Sequence, residues 1–221
     1  MGLKNFPKNN NVLLLAAILL LLPLSVLFIS TPGRVHAESI SVKNDSPGKS
    51  FPVVNIKTSL GDITVELYPG RAPASVDNFL VLVDQGFYTG IIFHRIVPGF
   101  VIQAGGFTSK RKKRRVSESV RNESIGGLSN KEGTLAMART DHPDSANSQF
   151  YINLKDNYDL DARGTKHGYT VFGKVIQGMD VVENIAAVKT ANLGGSFTQT
   201  PLQTIVILSA KRASPTASSA N

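Results

Sequence analysis

The chain has 221 residues, 42% of them apolar, which is enough for one packed domain plus extensions. It contains no cysteine, which excludes disulfides, thiolate catalysis and cysteine-ligated metals. Three of the 24 basic residues (Lys4, Lys8, Arg34) lie in the first 37 positions and six more form one block, Lys110–Arg115; setting those nine aside leaves 15 against 16 acidic residues, so the basic balance does not indicate a general nucleic-acid binder.

In chain order, residues 1–37 have the pattern of an export signal. Lys4 and Lys8 precede an apolar run from Val12 to Ile29, and Val35-His36-Ala37 places small residues at the −3 and −1 positions of a cleavage site. The run is as long as the shortest membrane spans, so an uncleaved anchor is the alternative to a cleaved signal. Both predict a chain outside the cytoplasm, in the periplasm or cell envelope. Residues 38–51 are predicted as a linker, 52–211 as the folded domain and 212–221 as a disordered tail.

Within the domain, "VVNIKTSLGDITVEL" from Val53 to Leu67 alternates on both sides of Gly61-Asp62, which predicts a hairpin turning at that dipeptide. Pro73 to Gly86 carries Val76, Phe79, Leu80 and Val83 at helical spacing, with Pro73 suited to a first turn and Gly86 to a C-terminal cap. A second short helix is predicted at Met179–Ala187. Short apolar segments at Ile91–Ile96, Val101–Ile102, Thr134–Met137, Phe150–Ile152, Thr170–Val175 and Thr204–Ser209 predict strands. Many short strands and two helices predict a closed or nearly closed β structure.

The four histidines show neither HxxxH nor HExxH spacing, and no Gly-x-Ser-x-Gly elbow, dinucleotide fingerprint or phosphate loop occurs. No metal or cofactor is therefore expected. "FHRIVPGFVIQAGGF" at 93–107 offers one cation, one amide and apolar walls, without a nucleophile or carboxylate pair. Taken singly, Arg95 suits a surface position, Phe100 and Tyr151 a core, and Gln103 and Gln149 ordinary strand polars.

Together with "TSLGDITVELYP" at 58–69, "GTLAMART" at 133–140, "SANSQFYI" at 145–152 and "YTVFGKVIQGMDVV" at 169–182, that stretch resembles the cyclophilin family of peptidyl-prolyl cis-trans isomerases, and most nearly its periplasmic bacterial branch. The resemblance runs from about Val53 to Lys211. It implies a mainly β fold, a closed eight-stranded antiparallel barrel capped by two α-helices, with a substrate groove on its outer face. It implies Arg95 as the catalytic residue. Phe100, Gln103, Ala138, Arg139, Gln149, Tyr151, Leu160 and Tyr169 match substrate-binding positions. His94 looks structural. Asp159 stands where many eukaryotic members carry Trp, which disfavours tight cyclosporin binding. The implied partners are proline-containing unfolded or flexible polypeptides, with no specific nucleic acid and a monomeric state. A proline-binding chaperone or scaffold with little catalysis is the alternative. Lys110–Arg115 is expected to be a solvated loop at one end of the groove, weakly attracting acidic clients or an anionic membrane surface.

Overall fold

The structure is a computed structural model and describes residues 51–213. The export signal, nearly all of the linker and all but the first two residues of the predicted tail lie outside the described residues.

The first hairpin pairs β1 (Val53–Thr58) with β2 (Gly61–Leu67). Val54 faces Val65 and Ile56 faces Ile63, so the two alternating rows meet across one face and bury together. The turn is not Gly61-Asp62, as the sequence predicts, but Ser59-Leu60; Gly61 and Asp62 are already strand partners of Thr58 and Lys57. Gly61 is needed for another reason. Its φ is 133°, and a Cβ there would come within 2.7 Å of Val181 on the second helix. The glycine marks a close approach, which local sequence cannot distinguish from a turn.

Helix α1 (Pro73–Asp84) begins at its proline and is followed by Gly86 at φ 66°, the left-handed conformation that favours glycine after a helix. Val76, Phe79, Leu80 and Val83 are buried, and Phe79 packs on Phe150 and Phe172 with ring centroids 5.6 and 5.2 Å apart. The remaining elements are β3 (Arg95–Val97), β4 (Val101–Ala104), β5 (Thr134–Met137), β6 (Phe150–Asn153), β7 (Val171–Gln177), α2 (Met179–Ala186), β8 (Thr190–Ala191), β9 (Thr200–Pro201) and β10 (Ile207–Arg212). The short β8–β9 hairpin carries no sequence signal of its own.

Eight strands form one antiparallel sheet in the order β10-β1-β2-β7-β5-β6-β4-β3. The sheet curls until its ends meet. Ile91–Phe93, which the sequence assigns to a strand running to Ile96, lies just before β3 and joins the start of β10. Phe93 N–H donates to Ile205 (3.0 Å), Ile207 N–H donates to Ile91 (2.7 Å), and Ile92 bridges Val206. The barrel is thus closed by this short seam rather than by a full ladder between β3 and β10. Its interior is one apolar core that also takes up Val182 and Ile185 of α2.

Two domain limits shift. Arg212, predicted to open the tail, is the last residue of β10: it pairs with Val54 and holds Asp84 at 2.6 Å. Phe51, predicted as linker, sets its ring edge-on to Tyr68 at 5.5 Å.

His94 belongs to the packing, as the sequence suggests. Its ring is buried against Phe107 at 4.8 Å, and its Nδ1 has no hydrogen-bond partner. Burial, reinforced by the neighbouring Arg95 charge, pushes its pKa down to about 4 from 6.5. The unfolded chain therefore takes a proton that the folded chain resists. The associated stability is complete above pH 6.5 and drains away as pH falls toward 4, by about 3 kcal/mol in order of magnitude. In denaturant titrations between pH 7 and 4, His94→Leu should flatten this part of the slope. An unchanged slope would show that His94 is not the group responsible.

Candidate functional site

The site starts from the two-residue period of β3 and β4. Ile96 and Ile102 face each other and point into the core. Arg95 and Gln103, the neighbouring pair, must then point outward, as must Val97 and Val101. The same register continues sideways: Gln103 faces Tyr151 on β6, Tyr151 faces Ala136 on β5, and Ala136 faces Val171 on β7. Pairing thereby carries one row across the outer surface of five strands.

Val101, Ala136, Tyr151 and Val171 form a second apolar cluster outside the barrel, with Phe100, Ala138, Leu160 and Tyr169 packed around it. Three loops supply those walls. Phe100 sits in the turn between β3 and β4, with its N–H donating to Val97 at 3.0 Å. Leu160 ends a single 3-10 turn, Tyr158–Leu160. Tyr169 N–H donates to Leu160 at 2.9 Å, which ties the second wall to the third.

The result is a cavity of about 290 Å³ lined by Arg95, Phe100, Val101, Gln103, Ala138, Arg139, Tyr151, Leu160 and Tyr169. Eight of the nine predicted site residues line it. The ninth, Gln149, stands just behind: its Oε1 accepts from Gln103 Nε2 at 3.0 Å, and its side chain fills the space where Gly106 lacks a Cβ. Val101 lines the cavity although the sequence presents it only as a strand apolar.

The two arginines differ in kind. Arg95 is half-buried and enters no ion pair among the described residues, so its guanidinium faces the cavity without an acid partner. Arg139 is fully engaged. Nε donates to Gly168 (3.0 Å), Nη1 to Thr140 (2.8 Å), Nη2 to His167 (3.1 Å), and Cζ lies 4.6 Å from the centre of the Tyr169 ring. Its side chain therefore positions the Tyr169 wall. The main chain beside it is different: Ala138 N–H donates to Gln149 (2.9 Å), while the Ala138 carbonyl and Arg139 N–H join no backbone pair among the described residues. They are open to an extended peptide.

Tyr151 presents its ring to the cavity and its hydroxyl to the interior, donating to Asn130 Oδ1 at 2.8 Å. Asn130 is fully buried and bonded in turn to Asp161 (2.7 and 2.9 Å), while Asn153 Nδ2 donates to its Oδ1 at 3.2 Å. Burial, with Tyr169 and Asp161 adding to it, holds the Tyr151 hydroxyl well above its usual range, so it remains a neutral donor. Asn130 and Asp161 were not evident from sequence. They come from loops and carry no periodic signal.

Asp159 lies outside this cavity, almost wholly exposed, with its carboxylate accepting from Arg163 four residues on. A site with one unpaired cation, an amide donor and a buried apolar floor can hold an apolar ring and polarise an adjacent amide. It offers no nucleophile or proton-transfer pair.

Residues 53–212 match the family described as cyclophilin type peptidyl-prolyl cis-trans isomerase. A peptidyl-prolyl cis-trans isomerase of Acinetobacter baylyi is 50% identical over 157 residues, covering 71% of this chain and 83% of the relative. Peptidyl-prolyl cis-trans isomerase A of Dickeya dadantii is 48% identical over 158 residues, covering 72% and 83%. Among solved structures, a cyclophilin type isomerase of Cryptosporidium parvum superposes with a TM-score of 0.62 at 26% identity, covering 74% of this chain and 98% of that one. A further structure with the same description was determined in the presence of the dipeptide Ala-Pro.

Proposed function

This chain belongs to the cyclophilin family and is a peptidyl-prolyl cis-trans isomerase, and we propose that it acts outside the cytoplasm on proline-containing segments of unfolded polypeptides, using Arg95 to stabilise the twisted amide. Rotation about an X-Pro bond is slow because the proline nitrogen shares its lone pair with the carbonyl. The barrier of peptide bonds is about 18–20 kcal/mol. No bond to carbon or hydrogen breaks, so a nucleophile or acid–base pair would contribute nothing. Help comes from any contact stronger in the twisted form than in the planar one.

Arg95 supplies that contact. In the twisted amide the lone pair is localised on nitrogen, and a guanidinium N–H can donate to it. Phe100, Tyr151, Leu160 and Tyr169 would enclose the pyrrolidine ring and exclude water, which strengthens the charge-assisted bond. Gln103, held by Gln149, and the open main-chain groups of Ala138 and Arg139 would fix the flanking peptide, so that one side turns against the other.

The demand is moderate. Uncatalysed exchange takes tens to hundreds of seconds. A turnover of about 10 per second requires roughly three decades, or about 4 kcal/mol. One hydrogen bond to a charged group contributes about 1.5–3 kcal/mol. The observation that carries the proposal is the unpaired guanidinium of Arg95 over the apolar floor of the cavity.

The expected result in a proline-isomerisation assay is clear acceleration of a short X-Pro peptide. Tight peptide binding without acceleration would instead favour a proline-binding chaperone. Export is supported by the sequence of residues 1–37. N-terminal sequencing of the protein from an envelope fraction should find Glu38 first. An intact Met1 in membranes would mean anchoring, and a full-length cytoplasmic protein would refute export. Asp159, exposed outside the cavity and paired with Arg163, presents no flat apolar surface beside Leu160, which supports weak cyclosporin binding.

A further inference from the structure

The basic block Lys110–Arg115 is not a uniform solvated loop. It folds into a tight hairpin: Arg111 N–H donates to Thr108 (2.8 Å), Thr108 N–H to Lys112 (3.0 Å), and Lys113 bridges Phe107. Arg111 takes φ 56° at the tip. Arg114 faces inward, unlike its neighbours. It donates to the carbonyls of Phe87 (2.6 Å) and Thr89 (3.0 Å) and lies over the Phe87 ring. Arg114 is thus the anchor, and the remaining five cations are exposed.

Those five enter no ion pair among the described residues. The acid of their own segment, Glu118, is exposed and likewise in no such pair. Five like charges on an anchored hairpin are electrostatically costly and leave an uncompensated positive field. The hairpin's base also abuts the site. Arg114 N–H donates to Gly106 (2.9 Å), and Gly106 packs directly on Gln149, the residue that holds Gln103 in the cavity. The field therefore lies at the Gln103–Gln149 end of the groove.

We propose that the anchored hairpin makes the groove selective for prolines with acidic residues nearby in the same chain. This rests on the groove being the X-Pro site. An extended peptide advances about 3.3–3.6 Å per residue, and the field is screened over about 8 Å at physiological salt. An acidic residue within roughly two positions of the point where the bound chain passes the hairpin would feel it.

The test uses four short peptides: neutral, acidic before the proline, acidic after it, and basic. Wild type is compared with Lys110→Gln, Arg111→Gln, Lys112→Gln, Lys113→Gln, Arg115→Gln combined, keeping Arg114. At low salt, wild-type kcat/KM should be roughly three- to tenfold higher on one acidic peptide than on the neutral one, as expected for a few exposed charge pairs, and lowest on the basic peptide. The variant should treat all four alike, with unchanged turnover on the neutral peptide, and high salt should bring wild type to the same pattern. The same ratios in both proteins would overturn the proposal. So would equal ratios combined with wild-type-only sedimentation on phosphatidylglycerol vesicles, which would make the hairpin a membrane contact. Failure of both proteins on the neutral peptide would count against isomerisation itself. Direct titration of peptide affinity would then still decide the charge bias.

Discussion

Arg95→Ala should lose about one to two decades of turnover on a short X-Pro peptide, the equivalent of about 1.5–3 kcal/mol for one hydrogen bond to a charged group, while its melting temperature stays within a few degrees of wild type. The two halves follow from different facts. The guanidinium lines the cavity and has no ion-pair partner among the described residues, so truncation leaves no buried acid uncompensated. The Arg95 backbone remains in register with Gln103. Arg95→Lys keeps the charge but loses the planar fork of donors, and should recover only part of the activity. The loss should fall in kcat more than in KM, because the contact matters most when the lone pair is localised. Wild-type turnover from Arg95→Ala would remove Arg95 from the mechanism.

Glu123→Ala should lower stability by about 2–3 kcal/mol and the melting temperature by roughly 5–10 °C. Helix α1 starts after Ala72, which has no side chain to cap it. The first N–H groups are satisfied from 48 and 49 residues away: Ala74 N–H donates to Glu123 Oε1 (3.0 Å), and Ser75 N–H and Oγ–H donate to Oε2 (3.0 and 2.9 Å). A carboxylate at a helix N-terminus also meets the positive end of its dipole. The side chain is only 8% exposed, so water would replace it poorly. Glu123→Gln keeps one acceptor oxygen and should lose about half as much. A melting temperature unchanged in Glu123→Ala would show that α1 needs no such cap.

Glu123 also shows where sequence reading stops. Period-two and period-3.6 patterns exposed the first hairpin, both helices and most strand segments, because each is a local repeat with one buried face. Arg95, Gln103 and Tyr151 were legible through the family resemblance, and register explains why they share a face. Glu123, Asn130 and Asp161 are single polar residues in loops, and their roles arise only when the chain brings distant segments together. Gly61 misled in the opposite direction, because a glycine required by Val181 looks locally like a glycine required by a turn. The same limit hid Arg114, one cation among six in sequence and the only one of them pinned to the protein in space.

The pairing of β1 with β10 fixes when this protein can finish folding. Val54 needs Arg212 and Ile56 needs Ala210 as ladder partners. A chain that emerges from a ribosome, or through a membrane, N-terminus first has β1 waiting with one edge unpaired until the last strand appears. Until then, that edge is open to any other extended chain. The C-terminal strand also brings Arg212 to Asp84 at the end of α1, which ties the helix to the closing edge of the sheet. A peptidyl-prolyl isomerase thus has a late folding step of its own, set by sequence separation: deleting β10 should leave a chain that never closes, rather than a smaller barrel.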